Sequence, residues 1–338
     1  MSDYKLQTRV DFPGYSTHPV YTQKSRRGPE PGFYIPNSKK DSLLYEKMKG
    51  EMRGLNALDL AGVKNYELIL THTFRDLVHL NAEQANLFFF GNDGEKVADN
   101  YITSHLYTRE DLETDAKVVS QSKTTVGVTL LDSDKHPINK VDRKKYAESV
   151  VSLLAGDYHA KVVDLDFEWH CSDYAEALLD ILTYIREKDP SIQFTATCYK
   201  GSEDVEALKL LKKAFPELTL NTMAYFESVK QQEELIELYE EVFKPEEIFL
   251  GVSVKTTPLE TGLALVKLAK KMMLGGIFFW NGAQDVMRPQ PHEAPDSGKF
   301  PYIQRLQAEM EGIFNPVGKG RLAALCEKIS CLFRNFWG

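Results

Sequence analysis

The sequence predicts an α/β fold: a (β/α)8 barrel of the TIM type, with an N-terminal extension and a C-terminal helical tail. Three observations carry that expectation. Eight short apolar runs, rich in β-branched and aromatic residues, alternate with segments of helical periodicity over most of the chain. One of these runs, Val162-Val163-Asp164-Leu165-Asp166-Phe167-Glu168, closes on acids at alternate positions, and the ends of strands are where barrel enzymes hold their reacting groups. No G-x-G-x-x-G turn follows an early strand, although an open doubly wound sheet uses one for its usual ligands.

Size and composition agree. With 338 residues, 43% hydrophobic and 27% charged, the chain can bury a large core, and a single barrel of about 250 residues leaves several dozen for appendages. The expected organisation is an extension over 1–60, the barrel over 61–290, and a loop with helices packing on the barrel over 291–338. A formal charge of −8 argues against a nucleic-acid partner, because phosphate binding needs a basic surface. The cysteines Cys171, Cys198, Cys326 and Cys331 form no C-x-x-C pair and no metal spacing, and read as free thiols of a reducing compartment. Met1-Ser2-Asp3-Tyr4-Lys5 leads into polar, proline-bearing sequence, and no apolar run reaches the length of a membrane span. The expected location is the cytoplasm, or outside the cell by a route that reads no N-terminal signal.

Taken in order, residues 1–60 are rich in Pro, Gly, Lys and Arg, with Gly28-Pro29-Glu30-Pro31-Gly32 at their centre. They read as an extended wrap around the barrel, with a helix over 42–52. The first strand is expected at 66–74 (YELILTHTF), a short helix at 75–84, and the second strand at 86–90, closing at Gly91-Asn92-Asp93-Gly94. A helix over 109–120 leads to the third strand at 124–131, rich in β-branched residues. An amphipathic helix over 142–154 is expected to stop at Gly156 in a left-handed cap, and the acidic strand at 161–168 is the fourth. The helix over 174–188 puts Leu178, Ile181, Leu182 and Ile185 on one face and ends before Pro190. Strands at 192–199, 218–226, 248–254 and 275–281 complete the set, with helices over 203–215 and 231–243 between them. Thr257-Pro258-Leu259-Glu260 reads as a helix start, with a capping residue, a first-turn proline and a Glu three residues after the cap. A proline-bearing loop then leads to a helix over 302–314. The segment 319–337 carries Leu322, Leu325, Ile329, Leu332, Phe333 and Phe336 on one stripe. It is either a terminal helix docked on the barrel or a basic amphipathic tail that touches a membrane or a partner.

The chemistry concentrates in the fourth strand. Alternation places Asp164, Asp166 and Glu168 on one face, roughly 7 Å apart, and repulsion between them should raise the pKa of at least one. Such a row suits a proton donor that works at neutral pH. It also suits an oxygen-liking Mg2+ or Ca2+ ion, or a strand running out into solvent.

Asp164-Leu165-Asp166-Phe167-Glu168 resembles the end of the D-x-x-D-x-D-x-E signature of family 18 glycoside hydrolases, the chitinases and endo-β-N-acetylglucosaminidases. Met223-Ala224-Tyr225 at the end of strand six and Trp280 at the end of strand eight resemble that family's substrate-holding positions. The resemblance implies a hydrolase that cleaves β-1,4-linked N-acetylglucosamine with retention, the substrate's own N-acetyl carbonyl acting as nucleophile. It makes Glu168 the general acid/base and Asp166 the group that orients the acetamido N–H, with Asp164 holding the charge of Asp166. Tyr225 would donate its hydroxyl to the carbonyl oxygen, and Trp280 would floor the sugar ring. Met223, Asn281 and Trp169 are further contacts to an oligosaccharide or glycan, and neither cofactor nor metal is required. Read alone, Tyr225, Met223 and Trp280 would be core residues of their strands. Three departures stand beside the resemblance: Lys161 replaces the first Asp of the signature, Thr129-Leu130-Leu131-Asp132-Ser133 stands where the family has S-x-G-G, and Phe226 follows Tyr225 where many members carry Asp. The alternative they leave open is a chitinase-like barrel that binds a sugar or a partner without turnover.

Overall fold

A computed structural model describes residues 6–13, 18–21, 31–34, 82–99, 109–131, 137–156, 158–166, 174–199, 201–225, 227–254, 256–280 and 300–312, together with Phe74, Leu77, Leu80, Gly282 and Asp285. Eight parallel strands form its centre: β1 (Gln7–Pro13), β2 (Gln84–Asn92), β3 (Thr125–Leu131), β4 (Val162–Asp166), β5 (Gln193–Cys198), β6 (Thr219–Thr222), β7 (Ile248–Ser253) and β8 (Gly276–Trp280). Each pairs with its successor, and β1 pairs with β8 on one side and β2 on the other, with Val10 opposite both Phe279 and Ala85. The eight parallel strands therefore close on themselves into a barrel. Val97–Asp99 returns antiparallel to β2, and His18–Tyr21 forms a separate hairpin with Pro31–Tyr34.

The closure corrects the expected domain boundary. The barrel begins at Gln7, inside the segment read as an extension, and the ring is complete without the strand expected at 66–74. Of that segment, 66–73 lie outside the described residues and Phe74 sits in a buried turn. The physical reason is visible in Gln7-Thr8-Arg9-Val10. Gln7 and Arg9 occupy alternate positions, and Arg9 is buried in the lumen, so β1 lacks the apolar run by which the other strands announce themselves.

Helices alternate with the strands on the outside. Among the described residues these are α1 (Arg109–Ser120), α2 (Arg143–Gly156), α3 (Tyr174–Lys188), α4 (Ser202–Ala214), α5 (Val229–Tyr239), α6 (Leu259–Lys271) and α7 (Pro301–Met310). The outward residues of the strands, such as Val128, Val163, Leu165, Ala196 and Leu250, share one buried core with helix residues such as Val150, Ile181, Leu208 and Leu265. This is the layering a barrel requires. Phe249, Phe278 and Val162 are buried on the opposite, lumen side of their strands.

Local chemistry explains most helix ends and corrects two expectations. Ser228 and Gln231 cap α5 reciprocally, the Gln231 N–H donating to Ser228 Oγ at 3.3 Å and the Ser228 N–H to Gln231 Oε1 at 3.1 Å. Thr257, expected to cap α6, accepts the Ser253 N–H at 3.2 Å instead, and Pro258 stands at the cap. Gly156 is the last residue of α2 and is not left-handed, whereas His159 takes a φ of 50° in the turn that follows. The start of α7 is held by Asp285, whose carboxylate accepts the N–H groups of Tyr302 at 3.0 Å and Ile303 at 2.8 Å. Tyr302 Oη donates to Thr257 O at 2.9 Å, which seats α7 on the loop after β7. The helix expected at 42–52 and the segment 319–337 lie outside the described residues. Among the described residues no helix is long and apolar enough to cross a membrane.

Candidate active site

All eight strands of the barrel run the same way, so the ends of β4, β6 and β8 lie on one rim. That rim is where the expected site residues fall. Register on β4 places Thr129 of β3 and Thr195 of β5 opposite Asp164, and Leu131 and Thr197 opposite Asp166. Asp164 is fully buried and Asp166 is 1% exposed. Two carboxyl groups thus sit inside a folded barrel, and the reading of a strand that runs into solvent is excluded.

Asp164 is held from three neighbouring strands. Its Oδ2 accepts from Thr129 Oγ1 at 3.1 Å, and its Oδ1 accepts from Thr195 Oγ1. Thr197 Oγ1 lies 2.9 Å from Oδ1 and 3.0 Å from Oδ2, and Asn221 Nδ2 donates to Oδ1 at 3.2 Å. Burial pushes the Asp164 carboxyl above the usual range, while the hydroxyls of Thr195, Thr197 and Thr129 and the charge of Arg9 pull it back. Both oxygens are occupied by the protein's own donors, which suits a fixed carboxylate better than a cation ligand. Among the described residues no group of three or more His, Cys, Asp or Glu is arranged to hold a metal ion.

Below this carboxylate lies a polar lumen. Arg9 is buried, its Nη1 donating to Asn221 Oδ1 at 3.2 Å and to Thr219 Oγ1 at 2.9 Å, with its guanidinium carbon 3.3 Å from the centre of the Phe249 ring. Glu83, just ahead of β2, faces Arg9 Nε at 3.8 Å. Burial brings the Arg9 pKa down to about 10, and burial also raises Glu83 above the usual carboxylate range. Gln84 Nε2 donates to Asn86 Oδ1 at 2.7 Å. Asn86 fits because β3 carries Gly127 beside it: a Cβ there would stand 2.2 Å from Asn86 Oδ1.

The chain leaving β6 brings Tyr225 to the rim. The Met223 N–H donates to Cys198 O at 2.8 Å and the Tyr225 N–H to Met223 O at 2.7 Å, a tight turn directly after the strand. It returns the Tyr225 ring over Gly251 of β7, where a Cβ would lie 2.9 Å from Tyr225 Cε1 and 1.8 Å from Thr222 O. The same ring is 6.5 Å from that of Phe278 on β8. Trp280, two residues past Phe278 on the same face, is half-buried at the end of β8, and Met223 is half-buried beside β5. Asp164, Asp166, Tyr225, Met223 and Trp280 therefore belong to the lumen and its rim. Strand six is shorter than expected, ending at Thr222, because this turn takes over. Glu168, Trp169 and Asn281 lie outside the described residues, as does Phe226.

Lys161 sits at the other end of β4. Its Nζ is 3.3 Å from Asp189 Oδ2 and 3.3 Å from Ser191 Oγ on the exposed foot of the barrel. This departure from the signature leaves the carboxylates at the rim untouched. Arg9, Thr129, Thr195, Thr197 and Asn221 were not anticipated from the sequence as site residues. The signal that could have found them is a polar residue at every second position of otherwise apolar strands, as in Thr195-Ala196-Thr197 and Thr219-Leu220-Asn221.

In sequence, neither a family model nor a curated protein matches the chain. In structure it resembles chitinase catalytic domains. The catalytic domain of a hyperthermophilic chitinase from Pyrococcus furiosus superposes with a TM-score of 0.54 at 15% identity, over 74% of this chain and 91% of that one. A class V chitinase from Nicotiana tobaccum, solved in complex with NAG4, gives 0.52 at 12% identity over 70% and 94%. The catalytic domain of a family GH18 chitinase from the fern Peteris ryukyuensis gives 0.50 at 16% identity over 67% and 89%. The chain has the fold of these enzymes.

Proposed function

We propose that the chain is a glycoside hydrolase of the chitinase type, cleaving β-1,4-linked N-acetylglucosamine in a chito-oligosaccharide or glycan core with retention. The observation that carries the proposal is the pair of buried carboxyl groups, Asp164 and Asp166, on the lumen side of β4 at the rim of a chitinase-like barrel. In the sequence Glu168 stands two positions beyond Asp166, where the family signature carries its acid. Glu168 delivers a proton to the leaving oxygen while the substrate's acetamido carbonyl oxygen bonds to the anomeric carbon. It then takes a proton from the water that opens the resulting ring, which restores the original configuration. Asp166 accepts the acetamido N–H during attack, and Tyr225 donates its hydroxyl to the carbonyl oxygen. Trp280 offers its face to the sugar, and Met223, Trp169 and Asn281 complete the contacts.

The test is Glu168→Gln assayed with a chromogenic chitobiose or chitotriose conjugate. Release stops while binding of the oligosaccharide persists. A variant that turns over at the wild-type rate removes Glu168 from the mechanism, and a wild-type chain that binds these sugars without releasing chromophore is a binding barrel and no hydrolase. Comparing chitin oligomers with high-mannose and complex N-glycans then separates the substrate classes.

A further inference from the structure

The lumen holds a buried arginine that the catalytic scheme above does not use. Arginine can only donate hydrogen bonds, so its contact to Asn221 fixes which way that amide points: the oxygen must face Arg9 Nη1, 3.2 Å away. Both amide hydrogens are thereby turned the other way, to Asp164 Oδ1 at 3.2 Å and Thr197 Oγ1 at 3.1 Å. Thr197, having accepted from the amide, has its one proton left to give, and Asp164 is within reach through either oxygen. We propose that Arg9 is a positioning residue of the site: it locks the Asn221 amide as a donor to Asp164 and so keeps Asp164 ionised beneath Asp166.

The surroundings leave few other groups that could set this charge. The ionisable side chains facing Asp164 among the described residues are Arg9 from β1, Asp166 two positions along its own strand, and Cys198 from the far side of β5, with Glu83 behind Arg9. The neighbouring strands otherwise offer neutral groups: Asn86 on β2, Thr129 on β3, Thr195 and Thr197 on β5, Asn221 on β6, Phe249 on β7 and Phe278 on β8. Asp166 is a carboxyl like Asp164 and can supply no positive charge, and Cys198, whose thiol burial pushes well above its usual range, stays neutral. Arg9 is the one cation in the set. Without it the Asn221 amide is free to turn its oxygen to Asp164, which must then carry a proton to make the contact. A proton on Asp164 is a proton no longer shared by the groups above it. That last consequence rests on the hydrolase reading, whereas the charge state of Asp164 does not.

The experiment reads that charge directly. Carboxyl 13C NMR of the full chain labelled at aspartate, with the Asp164 signal assigned from Asp164→Asn, gives its titration midpoint whether or not the protein turns over a sugar. Arg9→Met moves the midpoint up by at least about one pH unit, the usual effect of removing a nearby opposite charge, and Arg9→Lys restores most of that shift. Should Arg9→Met fail to fold, Arg9→Met/Glu83→Gln removes both members of the pair and leaves no buried charge unmatched, with the same upward shift. In an active enzyme the acid limb of the kcat profile moves upward with the midpoint. An Asp164 that titrates at the wild-type midpoint in Arg9→Met or in the double variant overturns the proposal, as does a lysine that restores nothing. A wild-type chain that releases no sugar, with the midpoint shift in Arg9→Met intact, counts against the proposed function alone.

Discussion

Thr197→Val tests the Asp164 cradle without reference to any substrate. Valine has nearly the shape of threonine, so the substitution leaves the lumen filled and removes only the hydroxyl. That hydroxyl lies 2.9 and 3.0 Å from the two oxygens of Asp164 and accepts from Asn221 Nδ2 at 3.1 Å. A hydrogen bond to a buried charged group contributes about 1.5–3 kcal/mol, so the loss at neutral pH should be about 2 kcal/mol. Its dependence on pH follows from the carboxyl. Asp164 already titrates above the unfolded value because it is buried, and the Thr197 hydroxyl is one of the groups that pull it down. Valine raises it further. Above both folded midpoints the carboxyl is charged in wild type and variant, and the full cost appears. As pH falls through the variant's midpoint and then the wild type's, both become protonated and the cost shrinks to that of a neutral hydrogen bond. Equilibrium urea unfolding at several pH values between 7.5 and 4 measures the difference, with the slope m unchanged between the two proteins. A cost that is constant across this range would refute a charged Asp164, and a cost near zero at pH 7.5 would refute the cradle itself.

Other perturbations separate site from scaffold. Gly127→Ala brings a methyl group to within 2.2 Å of Asn86 Oδ1 and 3.1 Å of Val162 Cβ, and thermal unfolding should show a loss of about 1–3 kcal/mol from overpacking. Tyr225→Phe keeps the ring that packs near Phe278 and Gly251 but removes the hydroxyl, so kcat on a chitotriose conjugate should fall about 100-fold with stability unchanged. Lys161→Ala breaks the exposed contacts with Asp189 and Ser191 at the foot of β4. Its stability should change by less than about 1 kcal/mol and its kcat not at all; an effect on kcat would show that the first signature position matters here after all.

How much of this was legible in the sequence depends on which face of a strand carries the signal. Strands β2 to β8 were recognisable because their outward residues, such as Val126, Val163, Phe194 and Leu250, must be apolar to pack on the helices. The helices were recognisable for the complementary reason: α1 and α3 begin and end where their periodicity does. β1 escaped notice because its lumen-facing Arg9 serves a partner set on β6 and β7. Contacts more than two hundred residues apart leave no local pattern. The same reason hid Asn221, whose role depends on Arg9 from one strand and Asp164 from another. Asp164 and Asp166 were legible because two acids on one face of an apolar strand conflict with the local preference for burial, and such conflicts mark functional sites. The tight turn at Met223-Ala224-Tyr225 is not legible because its residues suit a strand, whereas what ends the strand is the backbone hydrogen bond from the Tyr225 N–H to Met223 O.

The lumen bears on function through its cost. Barrel interiors are commonly filled by Val, Ile and Leu, and the outward faces here follow that habit, yet among the described residues the buried lumen carries an arginine, two aspartates, three threonines, two asparagines, a glutamine and a serine. Exchanging a buried ionic network for well-packed apolar groups is often neutral or stabilising, so stability alone does not explain why these residues are here. What the network does that an apolar filling could not is surround one buried carboxyl group with hydrogen-bond donors directly below another at the rim. Asp164 has contacts from three strands and a cation two bonds of the network away, and Asp166 stands above it. On the proposed reading, a negative charge held there would raise the affinity of the groups above it for a proton, as a general acid at a barrel mouth requires.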